Sequence, residues 1–218
     1  MLVNNYISKD FIPPKLNHAV RHAVDLVNDF NLTHIPVFEG LNFVGNFPKE
    51  MLEESSEDEQ ISEIKDFAEH FHITENASLF DAIEKFHHHA TNILPVISEE
   101  KHYLGFLMMD DVISALSTMP FIIEPGSIMT VEIPQKQFSI SEVSKIVESN
   151  NGRIIGLFVT AYVEDRVQIT IKLIADNLAS VSETFERFGY SVILKFFNDE
   201  KEDMMRDRFD QLMKYLDI

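Results

Sequence analysis

The sequence predicts an α+β chain in which two tandem β-α-β-β-α repeats are followed by a β-α-β-β-α-β module and an amphipathic helix. Three observations predict it. Ile35-Pro36-Val37 and Leu94-Pro95-Val96 are two copies of one strand motif, and their flanking landmarks recur in register. The pairs Ala23/Ala82 and Pro36/Pro95 stand 59 residues apart, and Gly45/Gly105 stand 60 apart. The pattern then breaks at Met119-Pro120, and Glu124-Pro125-Gly126 opens a different alternation of helix-period and strand-period segments.

In the first repeat, Ile12-Pro13-Pro14 stands where an opening strand belongs. Val20, Ala23, Val24 and Val27 then share one face of a helix over 18–30. Ile35–Phe38 reads as a buried strand, the run before Phe47 as its hairpin partner, and Lys49 opens a second helix. The second repeat repeats the order: Ile73-Thr74, a helix over 80–88, a strand over 93–97, a hairpin partner before Leu107, and a helix from Met109. The acidic run Glu53 to Glu59 between them reads as an exposed linker.

The third module reads as strand 127–133, helix 139–149, strand 153–163, a turn at Glu164-Asp165, strand 167–175, helix 178–188 closed by Gly189, and strand 191–197. Ser139 and Glu142 have capping-box spacing. This is the ferredoxin-like order. Beyond it, Met205, Phe209, Leu212 and Leu216 form one apolar stripe of a helix over 199–218. The expected divisions are therefore 1–60, 61–120, 121–198 and 199–218.

Composition excludes several functions. The net charge is −18, and residues 1–120 carry 7 Lys and Arg against 20 Asp and Glu. Nucleic acids and anionic lipids are bound by basic residues, so neither is an expected partner. No apolar run approaches the ~20 residues of a membrane helix. The first residues lack the basic start and apolar core of a signal peptide, so a cytoplasmic location is expected. There is no cysteine, which rules out disulfides, thiolate metal sites and a Cys nucleophile. No nucleophile elbow, phosphate loop, zincin or dinucleotide fingerprint occurs, and no enzyme activity is expected.

The His-Ile-Pro-Val and Ile-Leu-Pro-Val strands, each followed by a hairpin, a Gly and a helix, resemble a tandem pair of CBS domains over about residues 5–118. Pro125-Gly126, the Gly152 turn and Phe188-Gly189-Tyr190-Ser191-Val192 resemble an ACT domain over about 125–195. The combined order resembles the acetoin-utilization type of small bacterial regulatory protein. The resemblance implies a non-catalytic sensor, a homodimer acting on an unidentified protein partner, with an adenosine-type ligand such as AMP in a cleft between the repeats. It implies that the second cleft is lined by Thr74, Asn92, Ile93, Pro95, Gly105 and Asp111, with His34 and Pro36 from the first repeat. In the ACT-like module it implies a ligand turn at Gln135 and Phe138; Arg153, just after Gly152, is placed to meet a ligand carboxylate or, equally, is a surface residue beside the acidic turns.

The motif implied for nucleotide binding is Gly, two apolar residues, Ser or Thr, two further residues, then Asp. Gly105-Phe106-Leu107-Met108-Met109-Asp110-Asp111 keeps the ribose-binding Asp and has Met108 in place of the hydroxyl. Gly45 to Met51 has lost both, so the first cleft is not expected to hold a nucleotide. Asp111 has a second reading, as an acid favoured in the first turn of a helix. With so few basic residues, AMP or adenosine is expected over ATP. In the ACT-like turn Phe138 replaces the expected Gly, which either fills the pocket or lines it for an apolar ligand. The alternative to sensing is a CBS-ACT scaffold that has lost its ligand.

His87-His88-His89 reads as a solvated helix end, because adjacent helical residues point about 100° apart. His18 and His22 have i, i+4 spacing, but nothing in the chain completes a metal site, and none is expected.

Overall fold

The computed structural model describes residues 1–100 and 102–196. The expected helix over 199–218 lies outside the described residues. The chain forms two compact units, Met1–Ser117 and Thr118–Ile218, and the α+β architecture is as expected.

In the first unit, helix α1 (Val20–Asp29), strands β1 (His34–Glu39) and β2 (Asn42–Pro48) and helix α2 (Lys49–Glu54) make the first repeat. Strand β3 (Ile73–Thr74), helix α3 (Leu79–His88), strands β4 (Ile93–Ile97) and β5 (Tyr103–Met108) and helix α4 (Met109–Ser117) make the second. Both hairpins carry a register shift at the same place, Val37/Phe38 and Val96/Ile97. The two strands β1 and β4 are buried almost throughout, which explains their unbroken apolar runs.

One expected element does not form. β3 pairs in parallel with β4, but β1 pairs only with β2, in a two-stranded sheet. Pro13 and Pro14 stand where the missing strand would run, and proline has no N–H to give a ladder. Only the acceptor side survives: Phe38 N–H donates to the Pro14 carbonyl at 3.3 Å.

The repeats also exchange their leading segments. Val3 is fully buried in the core of the second repeat with Phe71, Leu79 and Leu94. Ile61 and Ile64 are buried in the core of the first with Val20, Val27 and Ile35. Ser8 pairs both ways with Phe106, at 2.8 and 3.0 Å, and Glu69 pairs both ways with Asn46, at 2.8 Å each. The boundary expected at residue 60 therefore separates sequence repeats and cuts across the packed ones.

The acidic run after α2 is exposed but is more than a linker. Ala19 stands at the N-cap of α1 and has no side-chain acceptor. The Glu59 and Glu57 carbonyls instead accept from Val20 N–H at 2.8 Å and Arg21 N–H at 3.1 Å. Ser78 caps α3 in the ordinary way, with Asp81 returning the bond to Ser78 N–H at 2.9 Å.

The second unit contains helix α5 (Pro120–Ile123), strand β6 (Ser127–Pro134), helix α6 (Ile140–Ser149), strands β7 (Arg153–Val163) and β8 (Arg166–Ile174), helix α7 (Leu178–Arg187) and strand β9 (Ser191–Phe196). The sheet order is β7-β8-β6-β9, antiparallel throughout, which is the ferredoxin-like topology. Met129, Val131, Ile169 and Ile171 on one face of the sheet pack with Val143, Ile146, Val181 and Phe185 of the two helices.

Two local readings change here. Ser139 caps α6 through Glu142 N–H at 3.4 Å, but the Glu142 carboxylate does not close the capping box. It accepts instead from the Tyr190 hydroxyl at 2.9 Å, and burial together with that carboxylate pushes the phenol well up from its usual range. The apparent break at Met119-Pro120 is the start of α5, with Pro120 in the first helical turn. Buried Lys172 donates to the α5 carbonyls of Phe121 and Ile122 at 2.7 and 3.1 Å, and Phe121 lies against Gly156, where any Cβ would collide with its ring.

Candidate ligand site between the repeats

The two repeats meet at Thr33 and Asn92, which occupy equivalent positions 59 residues apart. Thr33 N–H donates to Asn92 Oδ1 at 3.0 Å, and Asn92 N–H donates to Thr33 Oγ1 at 3.0 Å. Thr33 Oγ1 also lies 3.1 Å from Asn92 Oδ1, and Asn92 Nδ2 donates to the Asn31 carbonyl at 2.8 Å. The same two residues anchor the following helices: the Thr33 carbonyl accepts from Lys49 N–H at 2.8 Å, and the Asn92 carbonyl from Met109 N–H at 2.9 Å. The side chain of Asn92, expected to meet a ligand, is thus engaged by the first repeat.

His34 lies beside this junction and is buried. Its Nδ1 is 3.0 Å from Thr33 Oγ1 and its Nε2 is 3.7 Å from the Glu69 carboxylate. Its ring meets Phe71 edge-on at 5.4 Å, and Phe71 stacks on His89 at 4.2 Å. His89 is therefore held against an aromatic ring, while His87 and His88 are exposed as expected. In the other half of the pair Phe11 stands in place of Phe71. It stacks on Phe106 at 4.2 Å and meets Phe30 at 5.0 Å. The equivalent of His34 there is Ile93, which is fully buried.

Burial holds the His34 imidazole below its usual pKa, against the opposing pull of Glu69 and Glu50. The folded chain therefore keeps His34 neutral where the unfolded chain, at the ordinary 6.5, takes up a proton. Stability is expected to fall as pH drops through that value. Urea melts at about pH 7.5 and about pH 5.5 test this. His34→Gln is expected to lose less on acidification than the parent, and an equal loss would contradict the assignment. Some loss remains in the variant, because burial also lowers His18 and His89.

Gly105 is buried in β5, opposite Val96, with φ at +149°. Ile7 and Ser8 lie directly over it, where a Cβ would stand. Gly45 is equally close to the segment crossing the first repeat, with Ala68 Cβ 2.6 Å from where its own Cβ would be. Pro36 and Pro95 sit mid-strand opposite Asn46 and Phe106. Thr74 is exposed and pairs with Ile97, at the far end of β4 from Ile93, about 13 Å away at the rise of a strand. Asp111 is exposed in the first turn of α4, beside Asp110, and takes no side-chain bond or ion pair among the described residues. The structure therefore gathers His34, Asn92 and Ile93 at the helix end of the pair, puts Pro36, Pro95 and Gly105 in mid-sheet, and leaves Thr74 at the hairpin end.

Sequence reasoning missed the crossing segments and the Phe11, Phe30 and Phe106 cluster. The signal was present in Gly45 and Gly105, since a glycine inside a strand marks close approach of another backbone.

In the second unit, Gln135 N–H donates to the Asp165 carbonyl at 2.8 Å. Phe138 is half-buried and packs against the core, so it fills space there. Arg153 is exposed and pairs with Glu124 at 3.1 Å. Such a surface pair contributes roughly 0–1 kcal/mol and leaves the guanidinium available for exchange.

Two hollows lie elsewhere in the first unit. One, of about 290 Å³, is lined by Asn42, Phe43, His70, His72 and Ile97. The other, of about 460 Å³, is lined by Lys15, Leu16, Asn17, Glu39, Gly40 and Ser62. Neither is lined by a residue of the expected cleft. Among the described residues no group of three His, Cys, Asp or Glu is placed to hold a metal, and no helix is long and apolar enough to cross a membrane.

Residues 63–118 match the family model of the CBS domain. No curated protein matches the chain. Among solved structures, a CBS domain pair/ACT domain protein from Thermotoga maritima is 23% identical, with 53% of this chain and 96% of that one covered and a TM-score of 0.48. The CBS domains of a transcriptional regulator from Streptococcus pneumoniae are 15% identical, with 52% and 98% covered and a TM-score of 0.46. The CBS domain of a bacterial CNNM/CorC family Mg²⁺ transporter in complex with ATP is 13% identical, with 52% and 85% covered and a TM-score of 0.42.

Proposed function

We propose that this chain is a non-catalytic regulatory protein that binds one adenosine-type ligand in the second cleft of its repeat pair and signals by domain or dimer rearrangement. The observation that supports this most is the asymmetry around Asp111. Its carboxylate stands exposed at the start of α4 with no partner among the described residues, where it can accept from a ribose diol, while Met51 holds the equivalent place in the first repeat. The match of residues 63–118 to the CBS model covers this same second repeat.

The site's electrostatics select among ligands. Asp110 and Asp111 both stand in the first turn of α4 and offset the attraction that a helix N-terminus offers phosphate. AMP or adenosine therefore suits the cleft better than ATP. A ligand must also favour one arrangement of the repeats over another if binding is to signal. The crossing segment at Ile7 and Ser8 is the part that lies over Gly105 and would respond.

Melting the full chain with AMP, adenosine, ADP, ATP, S-adenosylmethionine and free amino acids tests the reading. A ligand at 100 times its Kd is expected to add about 2.7 kcal/mol of stability. AMP or adenosine is expected to give the largest rise, amino acids acting only through the ACT-like unit. No rise with any of the adenosine compounds would overturn sensing and favour the scaffold reading.

A further inference from the structure

We infer that the 290 Å³ hollow lined by Asn42, Phe43, His70, His72 and Ile97 is a second ligand site, for a flat, uncharged heteroaromatic ring such as a free nucleobase. It goes beyond the Asp111 cleft: Thr74, beside Ile97, marks the hairpin end of β4, whereas Asn92 and α4 stand at the other end.

Its wall chemistry carries the inference. Residues 1–120 hold 20 carboxylates against 7 basic groups, yet among the described residues no carboxylate, Lys or Arg lines this hollow. The described lining therefore offers no carboxylate to a cation and no Lys or Arg to an anion. The lining is instead one phenyl ring, two imidazoles, one amide and one aliphatic chain. Aromatic faces at this spacing accept a planar ring by stacking or edge contact. Phe43 and His72 meet at 6.0 Å in an edge-to-face arrangement and present an aromatic wall to the hollow. At about 290 Å³ the hollow is of the size that takes a small ligand.

Asn42 supplies direction. Its backbone pairs with Glu39 and bridges to His102, so the residue is fixed in place. Its side-chain amide is exposed and has no bond among the described residues. A free amide presents one acceptor and one donor side by side, the pattern by which Asn reads an adenine edge. The floor is preorganised as well. Phe43 packs on Phe38 at 5.3 Å, Phe38 on Tyr103 at 4.3 Å, and Ile97 is buried in β4. Burial with no hydroxyl partner pushes the Tyr103 phenol up to about 12, which marks this floor as dry.

The hollow takes Asn42 and Phe43 from the first repeat, Ile97 from the second, and both histidines from the segment between them. A ring seated there would tie the repeats together at the hairpin end.

The test is calorimetric titration of the full chain with adenine and with nicotinamide as uncharged rings, and with benzoate as a charged one. Adenine or nicotinamide is expected to bind, and benzoate at least 10-fold more weakly. Asn42→Ala, which removes an exposed side chain with no partner among the described residues, is expected to weaken binding about 10-fold or more, and His72→Ala is expected to weaken it by a similar factor. Asp111→Ala is expected to leave ring binding unchanged. No binding of either ring, or equal affinity in Asn42→Ala and the parent, would overturn the inference. Loss of ring binding in Asp111→Ala alone would also overturn it while leaving the proposed nucleotide cleft intact.

Discussion

Gly105→Ala is expected to destabilise residues 1–117 by about 3 kcal/mol or more, the largest effect of any single methyl group in the unit. Two costs combine. The residue has φ at +149°, where an L side chain is strained by roughly 1–3 kcal/mol. The added Cβ also collides with both Ile7 Cγ2 and the Ser8 carbonyl. One of these is backbone, so the collision is relieved only by lifting the crossing segment and its two bonds to Phe106. Overpacking of this kind costs about 1–3 kcal/mol. Gly40→Ala is the internal control. It has φ at +65° with nothing within 4 Å of its Cβ position, so it carries strain and no collision. Urea denaturation should rank Gly105→Ala well below Gly40→Ala. Equal losses would show that the segment over Gly105 is not held as described.

Asn92→Ala is the second large effect, with an expected loss of about 2–3 kcal/mol. The substitution removes the acceptor for Thr33 N–H, which is part-buried at the junction of the repeats, and the donor to the Asn31 carbonyl, which is exposed at its edge. Each orphaned group costs about 1–3 kcal/mol, tempered where water can reach it. Asn76→Ala, whose side chain makes one exposed contact at 3.4 Å with Glu99, is expected to be near neutral. Thermal unfolding checks both, with a fall of about 10 °C for Asn92→Ala and no resolved change for Asn76→Ala. If Asn92→Ala were also near neutral, the junction would not be what couples the repeats. The same substitution separates structure from ligand contact. A ligand-contacting Asn92 would lose affinity and keep stability.

Much of the fold was legible because its elements rest on local signals. Helix-period faces located α1, α3, α6 and α7, and alternation located the strands of the second unit to within a residue or two. Gly189, with φ at +86°, closes α7 as a helix-terminating glycine should. What was not legible depends on contacts distant in sequence. Nothing local to Ile61 or Val3 says that each packs on the other repeat, since any apolar side chain satisfies its own pattern wherever it is buried. The repeat predicts a strand at Ile12-Pro13-Pro14, whereas the two prolines, lacking N–H donors, already argue against a ladder there. α5 is four residues long, too short for periodicity to reveal, and it is held by Lys172 some 50 residues away.

The site was less legible than the fold for the same reason. His34 and Asn92 were identified by motif, and they do meet, but the motif could not show that Asn92 is engaged by Asn31 and Thr33. The position of Asp111 in the first turn of α4 was legible because it needs only its own helix to place it. The sequence leaves Phe138 and Arg153 two readings each, ligand contact or plain structure, and each has a structural neighbour in the fold, the core for one and Glu124 for the other.

Calorimetric titration of the full chain with AMP, in parallel with Asp111→Ala, tests the central claim most directly. The expected result is saturable binding of one AMP per chain that falls at least 10-fold in Asp111→Ala, since losing a carboxylate that accepts from ribose hydroxyls costs about 1.5–3 kcal/mol. Absence of binding by the parent chain, or binding unchanged in Asp111→Ala, would contradict it.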